Sequence, residues 1–399
     1  MKKLVYLCLL LSSINEVFAQ NQYFNQQILP LGDESALLAN SGIAGQSPNS
    51  AVIFNPAALS LNHGRSLSFS GNAYYEFNFV AENLANINGQ SLDLKASGFQ
   101  VLPTSLIYHY DYWGWQWSFA LTSPAYLNYD GLNQFNFGRE KVYIEENLHE
   151  VLYSGFLGAG KEMAKGWSIG FSLYGNYYSL SSNSNISYYR SNPGAGFSSL
   201  REFREAESYS LGFSLGLLKK WSKVRLGLVY SSANIDFYSK GRSLRTTSNS
   251  LFPQIAFTED YQDNLNTHLA HGHRFGIGLH YLVSQKLEWS ADINIYGQAS
   301  QNLFPQDSLL PLGSLRLSSG IKHQWNSKLA NYLGLAYLPR DRPESQETFI
   351  LSLGSRFKFN RSLNSLSIFF ARGRESIEAS PVRMDYFGIL LGTSIDLEW

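Results

Sequence analysis

The chain alternates. Near its C-terminal end Phe387, Ile389, Leu391, Thr393, Ile395, Leu397 and Trp399 share one parity, and Tyr386, Gly388, Leu390, Gly392, Ser394, Asp396 and Glu398 share the other. The first set is apolar and ends in an aromatic ring; the second is mostly small or polar. A period of two marks a strand whose faces meet different surroundings. The pattern recurs. Trp167, Ile169, Phe171 and Leu173 oppose Ser168, Gly170 and Ser172, and Leu211, Phe213, Leu215 and Leu217 oppose Ser210, Gly212, Ser214 and Gly216. Phe275, Ile277, Leu279 and Tyr281 oppose Arg274, Gly276, Gly278 and His280. Segments run about 10 residues or more, the length of a tilted membrane-spanning strand, whereas soluble strands average about 5–6.

Two further regularities select a membrane barrel over a soluble sandwich. Trp115, Trp167, Trp221, Trp289, Trp325 and Trp399 stand near segment ends, where an interfacial girdle needs them. Connections also alternate in length. Tight turns are expected near Asp111–Gly114, Lys165–Gly166, Ser222–Lys223, Ser284–Gln285, Asn326–Ser327 and Asn360–Asn364. Longer polar stretches are expected near 81–98, 128–149, 190–206, 241–272, 300–313, 340–348 and 374–383. The reading is an all-β fold, a transmembrane antiparallel β-barrel of about 14 strands, with short turns periplasmic and long loops outside. The segment at 99–110 contains Pro103, which marks a kink or bulge. Val151–Ala159 has no clear apolar face.

Composition agrees. Charged residues are 16% against a usual value of about 25%, and the 25 Tyr and 26 Phe supply barrel girdles. Net formal charge is zero, which advertises no nucleic-acid partner. Lys2 and Lys3, the apolar run Leu4–Leu11 and Val17-Phe18-Ala19 read as a signal peptide over 1–19, cut before Gln20. The only cysteine, Cys8, falls inside it, so the mature chain carries no disulfide.

Residues 20–64 precede the strands and are too apolar for a disordered tail: Leu31, Leu37, Leu38, Ile43, Val52, Ile53, Phe54 and Leu59 all lie there. A barrel of this width has a lumen that wall side chains alone do not fill. These residues are therefore expected to form a compact plug in short helical pieces, with the barrel over 65–399. Asn49 and Ser50 can cap a turn, and Pro56 ends any helix before it.

The stretch "SGIAGQSPNSAVIFNPAALS", Ser41 to Ser60, resembles the N-terminal hatch motif of the FadL-type family. Its elements are the small-residue run Gly42–Gly45, the step Asn49-Ser50-Ala51 and the core Asn55-Pro56-Ala57 followed by Ala58 and Leu59. The step is asparagine here where the family usually has an acid. The resemblance implies a fourteen-stranded outer-membrane barrel with a hatch, passing long-chain fatty acids or other hydrophobic compounds. The texture of the chain also resembles proteins of the Bacteroidota, whose type IX secretion barrels resemble the same superfamily.

Enzyme signatures are lacking. Ser214 in "GFSLG" fits a nucleophile elbow by letter, but that elbow needs a strand-to-helix turn, and Ser214 lies mid-strand. His268, His271 and His273 read as a solvated loop end and not as a metal site; no cofactor is expected. "PRDRPES" and "RGRES" are charged rims suited to lipopolysaccharide phosphates. Basic residues on the lipid face would cost about 2–4 kcal/mol each at mid-membrane, so parity places Arg225, Arg274, Arg316, Arg356 and Lys358 in the lumen. They are candidates either for ion pairs that hold the plug or for receiving an anionic head group. The leading expectation is passive, plug-gated uptake of a small hydrophobic compound such as a fatty acid. A secretion or assembly scaffold and a general porin are the alternatives. Outer-membrane lipid and the barrel-assembly machinery, through the last strand ending at Trp399, complete the expected partners.

Overall fold

The computed structural model describes residues 30–62, 64–87, 90–191, 196–250, 257–265, 268–269, 272–297, 301–302, 314–339, 347–377 and 380–397. The expected signal peptide, the first residues of the plug (20–29), His271, most of "PRDRPES" and Trp399 lie outside them.

Sixteen strand segments form one sheet, and two pairs of segments continue one another across an interruption, leaving fourteen staves (16 − 2 = 14). In chain order these are β1 (Ser66–Ile87), β2 (Gln90–Tyr112), β3 (Trp115–Phe137), β4 (Glu140–Ala164), β5 (Trp167–Arg190) and β6 (Gly196–Lys220). The interrupted staves are β7 (Val224–Ser231 and Ile235–Asn249) and β8 (Phe257–Leu265 and Arg274–Leu282). Then come β9 (Leu287–Tyr296), β10 (Ser314–Asn326), β11 (Leu329–Leu338), β12 (Glu347–Phe359), β13 (Ser362–Ile377) and β14 (Ser380–Asp396). Each pairs antiparallel with its neighbours, and β1 pairs with β14 from Ser66↔Asp396 onward, closing the barrel and removing its edges. The tight turns fall where the alternation placed them.

The outward face is a membrane face. Tyr153, Tyr177, Tyr209 and Tyr238 stand opposite one another across β4–β7, with successive ring centroids 6.5, 4.9 and 5.7 Å apart. Trp167 and Trp221 mark the other end and are half exposed. From Trp167 to Tyr177 is ten residues (177 − 167), which suits a tilted span of about 9–11. Between the two belts the outward residues are Ile169, Phe171, Leu173, Leu211, Phe213, Leu215 and Leu217.

Most of the expected long loops are strand. β1 to β6 run 22 to 25 residues, whereas β9 and β11 have 10. The described residues of the polar stretches 81–98, 128–149 and 190–206 continue the wall well past the tyrosine row. Outside the membrane both faces of a strand can be polar, so the alternation that signals a strand fades there. Within this extension the inner face carries an apolar core from β1, β2, β4–β6, β13 and β14. Tyr75 stacks on Phe369 at 6.2 Å, and Phe77 lies 5.0 Å from Tyr386.

The switch from polar lumen to apolar core is made by bulges. On β1 the inward set is Ser68, Ser70 and Asn72, then a register shift between Asn72 and Tyr74 turns Tyr75, Phe77 and Phe79 inward. On β2, Ser105 faces Ser70 while Pro103 faces Gly71, so Thr104 is the extra residue. The expected kink at Pro103 is this bulge. β3 shifts between Thr122 and Ala125, beside Pro124.

Candidate lumenal site between the hatch and the wall

The hatch folds as four short turns: α1 (Glu34–Leu37), a 3-10 turn at Pro48–Ser50, α2 (Ala51–Phe54) and a 3-10 turn at Pro56–Leu61. Asp33 caps α1 by accepting from the Glu34 N–H at 2.7 Å. α2 stops at Phe54, as the residue before a proline requires, with Asn55 extended. Ser50 sits at the N-cap position of α2 without bonding it through its side chain; the side-chain cap is at Asn55, whose Oδ1 accepts from the Ala57 N–H at 3.1 Å. The Asn55 amide donates to Ile43 O at 2.8 Å and to Leu217 O on β6 at 3.2 Å. The motif residue thus joins two hatch turns to the wall.

The wall makes room with glycine. A Cβ on Gly170 would lie 2.3 Å from the carbonyl carbon of Pro56, and one on Gly216 would lie 2.0 Å from Asn55 Oδ1. Gly160, Gly227 and Gly334 face Pro56, Ile43 and Ala39 as closely. The Gly/Ser face of the alternating strands is therefore a seat that hatch backbone reaches directly.

The lumenal cations meet this hatch. Arg356 donates to Glu34 Oε2. Lys322 Nζ lies 3.1 Å from Glu34 Oε1 and 3.4 Å from Glu288 Oε1, and Tyr332 OH donates to Glu34 Oε1 at 2.9 Å. Beyond Glu288 the chain continues through His280 Nε2 at 3.0 Å to Arg225, whose Nε lies 3.3 Å from His280 Nδ1. Burial alone would raise the Glu34 pKa; Lys322 and Arg356 outweigh it and draw it down to about 2. Arg316 Nη2 donates to Ala39 O at 2.8 Å, and Asp292 Oδ2 accepts from the Gly42 and Ile43 N–H groups at 2.6 and 3.0 Å. Lys358, two residues beyond Arg356 on β12, is exposed near the β12–β13 turn.

Arg274 differs. It is 7% exposed, and its Nη2 donates to Phe54 O at 3.2 Å. Its Nε has no partner, and among the described residues no carboxylate makes an ion pair with it. It lines a cavity of about 670 Å³, counted with its solvent-open mouth. Leu31 and Ile53 of the hatch form its floor, and Pro124, Leu152, Phe156, Tyr174 and Tyr296 form its apolar sides. Asn234 also lines it, in the interruption of β7, and its Oδ1 has no partner. Beside Thr122 and Pro124 the wall is incomplete. β2 and β3 pair at Ser97↔Asp130 and again from Ser105↔Thr122, with no ladder pairing between. Phe99 and Val101 flank this gap at 60% and 68% exposure.

Parity found the cations but not Glu34, Tyr332 or Asn234. Glu34 stands in a segment without alternation, and Asn234 stands where a strand breaks. No signal in the chain marks either.

Fold and lumen together define a membrane-spanning β-barrel stopped by an internal hatch. No family model and no curated protein matches the sequence. Among solved structures the fold is similar to that of the Pseudomonas putida toluene transporter TodX, with 15% identity over 93% of this chain and 98% of that one and a TM-score of 0.67. It is also similar to the Ralstonia pickettii toluene transporter TbuX, at 14% identity, 93% and 99% coverage and a TM-score of 0.62. A Pseudomonas aeruginosa FadL homologue matches at 12% identity, 92% and 98% coverage and a TM-score of 0.62. The fold implied by the hatch-motif resemblance is borne out.

Proposed function

We propose that this chain is an outer-membrane channel that admits small hydrophobic compounds, with the cavity above the hatch as its binding site. The observation that carries the reading is the cavity itself: apolar sides, a buried guanidinium with a free N–H, and an unpaired stretch of wall alongside. Ligand sites have this make-up, mostly apolar with few placed polar groups. Arg274 suits a carboxylate or another acceptor head, and the apolar sides suit a ring or the first part of an alkyl chain. The hatch blocks the axial route below, so the β2–β3 gap, which begins eight residues from the turn (122 − 114), is the route out, toward the bilayer. The names of the structural neighbours, toluene transporters and a FadL homologue, support the same class of cargo.

The test is flux into proteoliposomes, with a fatty acid and a monoaromatic hydrocarbon as probes. Flux above that of empty vesicles, with Arg274→Gln slowing the acid several-fold and leaving the hydrocarbon unchanged, is the expected result. No flux of either compound would refute the reading and favour a scaffold barrel.

A further inference from the structure

The periplasmic tips of β4–β5 and β6–β7 carry a charge pattern that the lumen does not use. The two turns touch: the Lys220 N–H donates to Gly166 O at 2.7 Å. Five lysines converge there, Lys161 and Lys165 from the first turn and Lys219, Lys220 and Lys223 from the second. Lys165, Lys220 and Lys223 are exposed, and Lys161 and Lys219 are partly so. The carboxylate in the first turn, Glu162, is occupied by the Gly166 N–H at 2.7 Å. The ion pairs of the described residues lie elsewhere, in the lumen and in the extracellular extension.

The cations stand against the lipid-facing aromatic belt. Lys219 Nζ lies 4.6 Å from the Trp167 ring centroid and 5.8 Å from that of Trp221, and Lys161 Nζ lies 5.8 Å from Trp115. On the adjoining turn Trp113 is 82% exposed, held out by a left-handed backbone (φ 55°) and stacked on Tyr112 at 4.8 Å. Indoles settle at the headgroup level of a bilayer, and a lysine beside an anionic surface is drawn to it. A patch for a water-borne acidic protein would need neither the outward indoles nor their alignment with the apolar band.

We propose that these two turns form a binding surface for anionic phospholipid headgroups of the periplasmic leaflet. The orientation rests on the outer-membrane reading, but the test is independent of transport. The intact chain, purified in detergent, is titrated with phosphatidylglycerol and with phosphatidylethanolamine and read by native mass spectrometry. The expected result is a several-fold preference for phosphatidylglycerol that weakens as salt is raised. The variant Lys161→Gln, Lys165→Gln, Lys219→Gln, Lys220→Gln, Lys223→Gln should bind the two lipids alike while keeping the heat-shifted gel mobility of a folded barrel. Equal binding by the native chain, a preference insensitive to salt, or a preference retained by the folded variant would overturn it. So would an acidic protein held at the patch that phosphatidylglycerol does not displace.

Discussion

Replacing Glu34 by Gln tests how the hatch is held. The carboxylate carries Lys322, Arg356 and the Tyr332 hydroxyl at once, and it is the hatch side of a charged chain reaching β7. Its pKa falls from an ordinary 4.5 to about 2. At about 1.4 kcal/mol for each pKa unit, the docked state gains ~3 kcal/mol from the charge. Removing one partner of a buried ion pair costs about 3–5 kcal/mol, a compatible range. Glutamine keeps the shape and some hydrogen bonds, so the expected loss is ~2–3 kcal/mol, or about 10²-fold in the population of released hatch. The chain's lone cysteine is Cys8, so a single Ala36→Cys reporter in α1 reads release by its rate of thiol labelling. Glu34→Gln should raise that rate about a hundredfold. A change under about threefold would refute the latch.

The pH dependence follows with a definite sign. A lowered folded-state pKa means that the Glu34 contribution is complete above about 4.5 and is lost as pH falls toward about 2. Bilayer conductance of the native chain should therefore rise across that window, while Glu34→Gln should show no such rise; the same curve for both would count against the assignment. Gly170→Ala places a methyl group within 2.3 Å of Pro56, an overpacking of about 1–3 kcal/mol. It should speed Ala36→Cys labelling, whereas Gly155→Ala, whose nearest neighbour is the side chain of Leu121 at 3.6 Å, should not. Asn55→Ala removes the bonds to Ala57, Ile43 and Leu217 and should cost about 1–3 kcal/mol, seen as faster labelling at an unchanged barrel melting temperature.

The membrane part of this fold is legible in the chain because two solvents impose it. Lipid outside and a packed, polar lumen inside force alternation, as in Trp167–Leu173 and Leu211–Leu217. Past the tyrosine row that contrast ends. β4 there turns Glu146 and Glu150 inward together with Val142, Ile144 and Leu148, and shows Lys141, Glu145 and His149 outside, so a strand looks like a loop. The bulges hide the continuation further, since an extra residue at Thr104 or beside Asn72 exchanges the two faces. In the site, parity sends Arg274 and Arg316 inward alike. What separates them is the hatch: Ala39 O meets Arg316, while Arg274 reaches Phe54 O and lines the cavity. That difference belongs to how a non-alternating segment lies in three dimensions, which periodicity does not encode.

The glycine seat also ties distant parts of the chain to one another in evolution. The wall glycines that meet Pro56, Ala57, Ile43 and Ala39 sit on strands far along the sequence from the hatch they accommodate. A larger residue at any of them would have to be answered by a shift in the hatch, so the two segments are bound to drift together.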